Sequence, residues 1–363
     1  MCLPNFNTEK VMDKPTDPKQ RYAQFFVAII LCSALLITLR CLSGRSIDFS
    51  ASLPGRASLI TLFTRIRIKL GDRVFNTGLI GKDGWMDLTN NLSDYQNSLN
   101  LPENYSQRIQ KKLQTLYDTL KAQNITLVLV VAPNKSTIYP DKLPDELRKI
   151  GAKSQLELLV ETLLQQGPPV LIDLQPALAQ ARQKHAIYSK TDTHWNSYGA
   201  YAAYAEIMNR LAQTYPALAP KQMNQFRIKI DRTKVLDIAQ SIGATYIKEP
   251  SLSITPIKNN LRWVIYNNDS YPSTVMSISY SPSANSNMPR LLMYVDSFGY
   301  PLMPLISPHF SQATFIHRLS TSPDLLSFKQ IEVTKPDIVI FEIVERHLSS
   351  LDSWLTNFES DSK

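Results

Sequence analysis

The stretch Thr191-Asp192-Thr193-His194-Trp195-Asn196 holds the residue types of a general base. An aspartate two residues before a histidine, at the mouth of a helix opened by Ser197-Tyr198-Gly199-Ala200, lets a carboxylate orient the imidazole and stabilise its protonated form. What such a pair lacks is a nucleophile. The best candidate lies downstream, where the apolar run 291–295 leads into Asp296-Ser297-Phe298-Gly299 and residues 300–306 are expected to continue as a helix. A strand-to-helix turn aims a serine hydroxyl out of the sheet and sets backbone N–H groups and the positive helix end where an oxyanion would form. Ser297 is therefore the candidate nucleophile, and the two segments are expected to meet in space.

Each fragment alone has an ordinary explanation. Asp and Ser also make caps and turns, and an isolated Asp-x-His is also a common turn or metal-ligand fragment. Placed together at the ends of elements in one fold, they make a Ser-His-Asp set. The other histidines offer little competition: His185 sits on the polar end of a helix, His309 and His317 stand alone, and His347 follows Glu345-Arg346 in a closing segment that reads as structural. A zinc site needs several ligands at close spacing, and the neighbourhood of His194 holds one histidine, so no metal is assigned. There is no glycine-rich phosphate loop, and no cofactor is expected.

Positioning these residues requires an α/β frame. From Val74 the texture is that of a folded unit, and 78–85 alternates glycine with apolar residues as a strand-turn-strand. Ile109, Leu113, Leu116, Tyr117 and Leu120 recur at helical spacing within 102–123, and 125–131 is a continuous apolar run, as in a strand buried on both faces. Pro133-Asn134-Lys135 leaves that strand at its C-terminal end, where open α/β sheets place ligands. A helix over 154–165, a strand over 170–174 and a helix over 176–184 precede the Asp192/His194 loop. Asn196 or Ser197 then caps a helix to about Leu211. Residues 216–287, rich in Ser, Asn and Pro, break the alternation; they contain strand-like runs at 261–266 and 275–280 and read as an inserted lid. A last buried strand covers 337–344. The pattern argues for a three-layer α/β sandwich with a largely parallel sheet.

The chain has 363 residues, 44% of them apolar, and a formal net charge of +8, which suits one large domain or two small ones plus accessory segments. The basic residues are scattered, with no Lys/Arg run interleaved with aromatics, so a generally basic surface is expected and no nucleic-acid partner. The three cysteines, Cys2, Cys32 and Cys41, lie in or before an N-terminal apolar segment, so the folded region depends on no disulfide or thiolate ligand. Residues 1–21 read as a polar cytoplasmic tail. Residues 22–42 are just long enough to span a bilayer if Arg40 snorkels, and no clear cleavage site follows them. They are expected to form an uncleaved single-pass anchor, with a cleaved signal peptide as the alternative. Residues 43–73 form a juxtamembrane connector whose 59–70 part lies against lipid or the domain. The domain then covers 74–363.

The series Gly81-Lys82-Asp83-Gly84-Trp85, Pro133-Asn134-Lys135 with Ile138-Tyr139-Pro140, Thr191 to Asn196, Asp296-Ser297-Phe298 and Glu342 to Leu348 resembles the SGNH-hydrolase-like proteins of the alginate O-acetylation type, the AlgJ/AlgX family. The resemblance covers the chain from about Val74 onward. It implies a membrane-anchored O-acetyltransferase in which Ser297 carries the acetyl group, His194 is the base and Asp192 orients it. It also implies an extracytoplasmic polysaccharide as acceptor and a multipass membrane acyltransferase as acetyl donor. On that reading the catalytic domain lies in the periplasm, on the inner membrane. Lys135, Trp195 and Arg346 match motif positions, and Asn134 is the candidate for the oxyanion pocket. The Asp-x-His pair precedes the serine, the reverse of the usual SGNH order, as in the resembled family. Two departures stand out. No carbohydrate-binding module follows, which points to the AlgJ branch, and Gly299 stands where a small hydroxyl residue is frequent. An acetyl esterase of the same fold and a non-catalytic glycan-binding or assembly subunit remain open alternatives.

Overall fold

The continuous apolar runs become strands of one sheet in the computed structural model, which describes Tyr22 and residues 24–32, 55–98, 102, 104–257, 261–268, 271–281, 287–317 and 327–360. The chain divides into two compact units, Met1–Leu59 and Ile60–Lys363. In the first unit residues 24–32 are helical. The expected tail 1–21, residues 33–42 of the expected anchor and 43–54 of the connector lie outside the described residues. No helix among the described residues is long and apolar enough to cross a membrane.

In chain order the following elements are α1 (Arg56–Lys69), the hairpin β1 (Gly78–Ile80) and β2 (Met86–Leu88), α2 (Tyr105–Ala122), β3 (Thr126–Ala132), α3 (Gln155–Gln166), β4 (Leu171–Asp173), α4 (Gln175–Arg182) and α5 (Ser197–Ala212). They continue with β5 (Phe226–Asp231), α6 (Asp237–Ser241), β6 (Ser251–Pro256), β7 (Arg262–Asn268), β8 (Tyr271–Tyr280), β9 (Arg290–Val295), β10 (Gln312–His317), α7 (Phe328–Thr334), β11 (Ile338–Val344) and α8 (Leu351–Ser360).

The main sheet has the order β4-β3-β11-β9-β10-β8-β7. The first five strands are parallel neighbours, while β8 joins β10 and β7 joins β8 antiparallel. The sheet is thus mixed. The two strand-like runs of 216–287 extend its edge as a hairpin, because antiparallel strands need only a short turn between them and no crossover helix. Strands β5 and β6 pair separately, antiparallel, from Phe226↔Pro256 to Asp231↔Ser251.

Strands β3 and β11 are buried on both faces, and their side chains divide by parity between two cores. Val128, Val130, Ile338 and Ile340 join one core with residues of α4 and α5. Leu127, Leu129, Val339 and Phe341 join the other with α2, α3 and α8. Each helix is present because its sequence covers one face: α2 buries Ile109, Leu113, Leu116 and Leu120, at the spacing one stripe of a helix requires. Helix α3 opens on a capping box in which the Ser154 hydroxyl accepts the Glu157 N–H and the Glu157 carboxylate accepts the Ser154 N–H. Within the second unit, the buried Thr64 of α1 donates to the Ile242 carbonyl at 2.8 Å, so the later part of the expected connector packs on the segment that carries α6.

The parallel register sets the place of the site. β11 pairs with β3 from Ile338↔Thr126 to Val344↔Ala132 and with β9 from Ile338↔Leu291 to Phe341↔Tyr294. The C-terminal ends of the three central strands therefore share one edge. Pro133-Asn134, Glu345 and Asp296-Ser297 all leave the sheet there.

Candidate active site

Ser297 lies two residues beyond β9 at this edge, and the loop 191–196 runs to the same place before entering α5. Asn196 caps α5, its side-chain oxygen accepting the Tyr198 and Gly199 N–H groups at 2.9 and 3.3 Å. His194 Nε2 lies 2.8 Å from Ser297 Oγ, and His194 Nδ1 lies 2.7 Å from Asp192 Oδ1. An ionised carboxylate only accepts, so Nδ1 carries the proton and the Nε2 lone pair faces the serine O–H. Asp192 Oδ1 also accepts the His194 backbone N–H at 2.9 Å, which fixes ring and chain together. Burial alone would raise the Asp192 carboxyl; the hydrogen bonds and charge of His194 outweigh it and hold the group below its ordinary value. Serine, imidazole and carboxylate stand in one hydrogen-bonded line, the arrangement that activates a hydroxyl for acyl transfer.

The serine turn is held from within by Asp296. Its N–H donates to Glu342 Oε2 at 2.9 Å, and its carboxylate accepts the Phe298 N–H and the Val344 N–H, each at 2.8 Å. Gly299 is required by space: a Cβ would sit 2.6 Å from Val295 Cβ and 2.9 Å from Glu342 Oε2. That crowding accounts for glycine at this position. The helix expected over 300–306 begins only at Met303. Pro301 has no N–H to give, and 297–302 are turns, so no helix end lies at Ser297. The donor at hand is the Ser297 amide, which has no hydrogen-bond partner among the described residues.

The remaining expected residues take different places. Trp195 is buried and its Nε1 donates to the Phe298 carbonyl at 3.1 Å, joining the histidine loop to the serine turn. Lys135, also buried, donates to the carbonyls of Ser189, Lys190 and Asp192 at 3.2, 3.1 and 2.5 Å, so it clamps the loop from below. Arg346 lies over the Phe298 ring at 5.2 Å, and that ring in turn lies 4.9 Å from the His194 ring. Asn134 is not at the serine. Its Nδ2 donates to Asp94 at 3.2 Å and its N–H to Glu345 at 2.7 Å, and it does not line the cavity that holds Ser297.

Sequence reasoning missed Asp237, at the start of α6 within the stretch read as a lid. Its Oδ1 accepts the Thr193 N–H at 2.7 Å and its Oδ2 accepts the Thr193 hydroxyl, while Oδ2 lies 3.5 Å from His194 Nδ1. Burial and the neighbouring Asp192 charge raise its carboxyl. Asp192, His194 and Asp237 could each offer one ligand atom to a cation, the atoms lying within 4.8 Å of one another. In the hydrogen-bonded arrangement His194 Nδ1 is already taken by Asp192. No sequence signal marks Asp237, since only the fold brings α6 to the loop.

Behind the site lies a buried polar cluster. Burial pushes Glu345 up to about 7 against hydrogen bonds from Thr137 and Asn134, and pushes Asp94 up to about 6 against that from Asn134. A cavity of about 630 Å³ has Ser297, His194, Asp192, Tyr300 and Lys234 in its lining.

The fold and this constellation define an SGNH-hydrolase-like α/β protein. A structure of Bacillus cereus PatB1 with a sulfonyl adduct superposes with a TM-score of 0.59 at 16% identity, over 76% of this chain and 96% of that one. A DHHW family protein from Eubacterium siraeum does so with a TM-score of 0.58 at 14% identity, over 78% and 96%. Residues 79–253 match the family described as SGNH hydrolase-like domain, acetyltransferase AlgX, a span that holds Asp192, His194 and Asp237 and ends before Ser297. The probable alginate O-acetylase AlgJ of Pseudomonas syringae pv. tomato is 26% identical over 159 residues, 43% of this chain and 39% of that relative's length. Over that span the chain is similar to the AlgJ/AlgX family, and it spans about two fifths of the length of the curated AlgJ relatives it matches.

Asp237→Ala should lower turnover of an acetyl ester by about 10- to 100-fold, as loss of a positioning hydrogen bond of ~1–3 kcal/mol would do. Wild-type turnover in that variant would show that Thr193 holds the loop unaided. The buried carboxyls generate a second expectation. The folded-state pKa of Glu345 is raised from 4.5 to about 7, so its contribution to stability is complete below 4.5 and is lost as pH rises through about 7. Asp94 acts with the same sign between 3.8 and about 6. Thermal melts across this window should fall more steeply for the wild type than for Glu345→Gln; parallel curves would remove the assignment.

Proposed function

We propose that this protein is a membrane-anchored O-acetyltransferase that moves acetyl groups through Ser297 to hydroxyls of an extracytoplasmic polysaccharide. The observation that carries the reading is the line from Asp192 through His194 to Ser297 Oγ, with contacts of 2.7 and 2.8 Å, in the lining of a cavity. Ser297 Oγ attacks the donor's acetyl carbonyl carbon while His194 Nε2 takes the hydroxyl proton. The resulting imidazolium is stabilised by Asp192, and the oxyanion by the Ser297 amide. Collapse breaks the bond to the donor's leaving group, which receives the proton from Nε2 and departs, leaving acetyl-Ser297. A sugar hydroxyl then gives its proton to Nε2 and attacks the same carbonyl. The acetyl ester passes to the sugar and the serine recovers its proton.

Water entering in place of the sugar would make the protein an acetyl esterase. The size of the cavity beside Ser297 favours a sugar acceptor over water alone. A glycan-binding subunit without catalysis would have no need for an aligned base and nucleophile. The acetyl donor in this reading is a multipass membrane acyltransferase, and residues 22–42 anchor the chain so that the domain lies in the periplasm.

Brief exposure to an activated acetyl ester should place one acetyl group on the peptide carrying Ser297, detected by mass spectrometry. Ser297→Ala should abolish the label, and Ser297→Ala and His194→Ala should each remove nearly all turnover. Asp192→Asn should cost on the order of 10⁴ in kcat through the wrong imidazole tautomer, and double variants little more than single ones. A label that survives Ser297→Ala sinks the acyl-serine mechanism. For the anchor, the full chain should keep its N-terminus and sediment with membranes, with the domain open to protease in spheroplasts. Soluble release after cleavage near Ser50 would remove the anchor and leave the enzyme untouched.

A further inference from the structure

Tyr300 ends the turn that carries Ser297 and lines the same cavity as Ser297 and His194. Its neighbours Phe298 and Leu302 are fully buried, whereas Tyr300 is 43% exposed. One face of its ring is backed by the His317 imidazole, stacked with centroids 5.2 Å apart and planes 18° from parallel. His317 is the buried last residue of β10, in register with Val295 at the end of β9, so the ring is braced against the sheet edge. Among the described residues no other ring or cation contacts Tyr300, and its hydroxyl has no hydrogen-bond partner. A tyrosine could bury its ring or bond its hydroxyl here; this one does neither on its open side.

The same cavity is lined by Ser251, Ser253 and Thr255 of β6 and by Lys234. Ser253, Thr255 and Lys234 are exposed, and no ion pair is formed by Lys234 among the described residues. A braced aromatic face beside hydroxyls and an ammonium group matches the two surfaces of a pyranose, an apolar C–H face and a rim of hydroxyls. A small acetyl donor group needs neither.

We propose that Tyr300 is the platform on which the acceptor's pyranose ring stacks, with Ser253, Thr255 and Lys234 bonding its polar rim, so that one sugar hydroxyl is delivered to His194 Nε2 beside the acetylated serine. The subsite rests on the acyl-serine reading above. Its role is to decide between sugar and water at the second step.

The test uses the full chain, p-nitrophenyl acetate as donor, and two probe acceptors, oligomannuronate and chito-oligosaccharide. The readout is the ratio of acetylated sugar to free acetate, with acetylation of Ser297 reporting that each variant is folded. Tyr300→Phe, which keeps the ring, should hold the wild-type ratio. Tyr300→Ala should lower it about tenfold, equivalent to ~1.4 kcal/mol, within the range of an aromatic contact. A Tyr300→Ala ratio equal to wild type overturns the platform, and so does an equal fall in Tyr300→Phe, which would assign the contact to the hydroxyl. A wild type acetylated at Ser297 that passes acetyl to neither probe overturns the subsite as drawn. Absence of acetyl-Ser297 in the wild type is a different failure, that of the parent mechanism.

Discussion

The carboxylate of Asp296 ties two strand ends together, and the site depends on that tie. It accepts the Phe298 N–H from the serine turn and the Val344 N–H from the end of β11. Buried donors and acceptors cost free energy when left unpaired, so this link has one low-energy arrangement. Ser297, between Asp296 and Phe298, is held by it at the sheet edge. Trp195 transmits the constraint to the histidine loop through its bond to the Phe298 carbonyl, and Lys135 pins the far side of that loop through three carbonyls. Ser297 Oγ and the His194 ring are thus positioned by buried groups outside the hydrogen-bonded line itself.

Charge is divided in the same region by environment. Asp192 is held low because His194 bonds it by both ring and backbone, while Asp237 on the other side of Thr193 is raised by burial and by Asp192 itself. Two like charges this close cannot both be fully favourable. Glu345 and Asp94, deeper in the fold, are raised by burial and bond Asn134 between them. The asparagine that the sequence suggested for an oxyanion pocket is instead a member of this supporting network.

The cavity joins elements from distant parts of the chain. The serine turn and Tyr300 come from the end of the sheet, the histidine loop from the mouth of α5, and the hydroxyl-bearing strand β6 from the stretch 216–287. That stretch also supplies Asp237, and its β7–β8 hairpin widens the main sheet by two antiparallel strands. It therefore contributes to both frame and site, more than a cover would.

Local chemistry was legible in the amino-acid order because its causes are local. Asp192 and His194 are two residues apart, Asn196 caps the helix that follows it, and the apolar runs at β3 and β11 are too continuous for anything but strands buried on both faces. The central parallel sheet and the choice of Ser297 follow from such signals. Only the tertiary structure decided the rest. Ser297 lies 103 residues from His194, and the 2.8 Å between them is set by strand register and by Asp296, neither of which has a periodic signature. Asp237 carries no pattern of its own. The turn after Ser297 becomes helical only at Met303, and Gly299 is fixed by packing, because Val295 and Glu342 leave no room there for a Cβ. Residue type and spacing determine which groups are available and which elements they sit on, but the packing of those elements determines which groups meet.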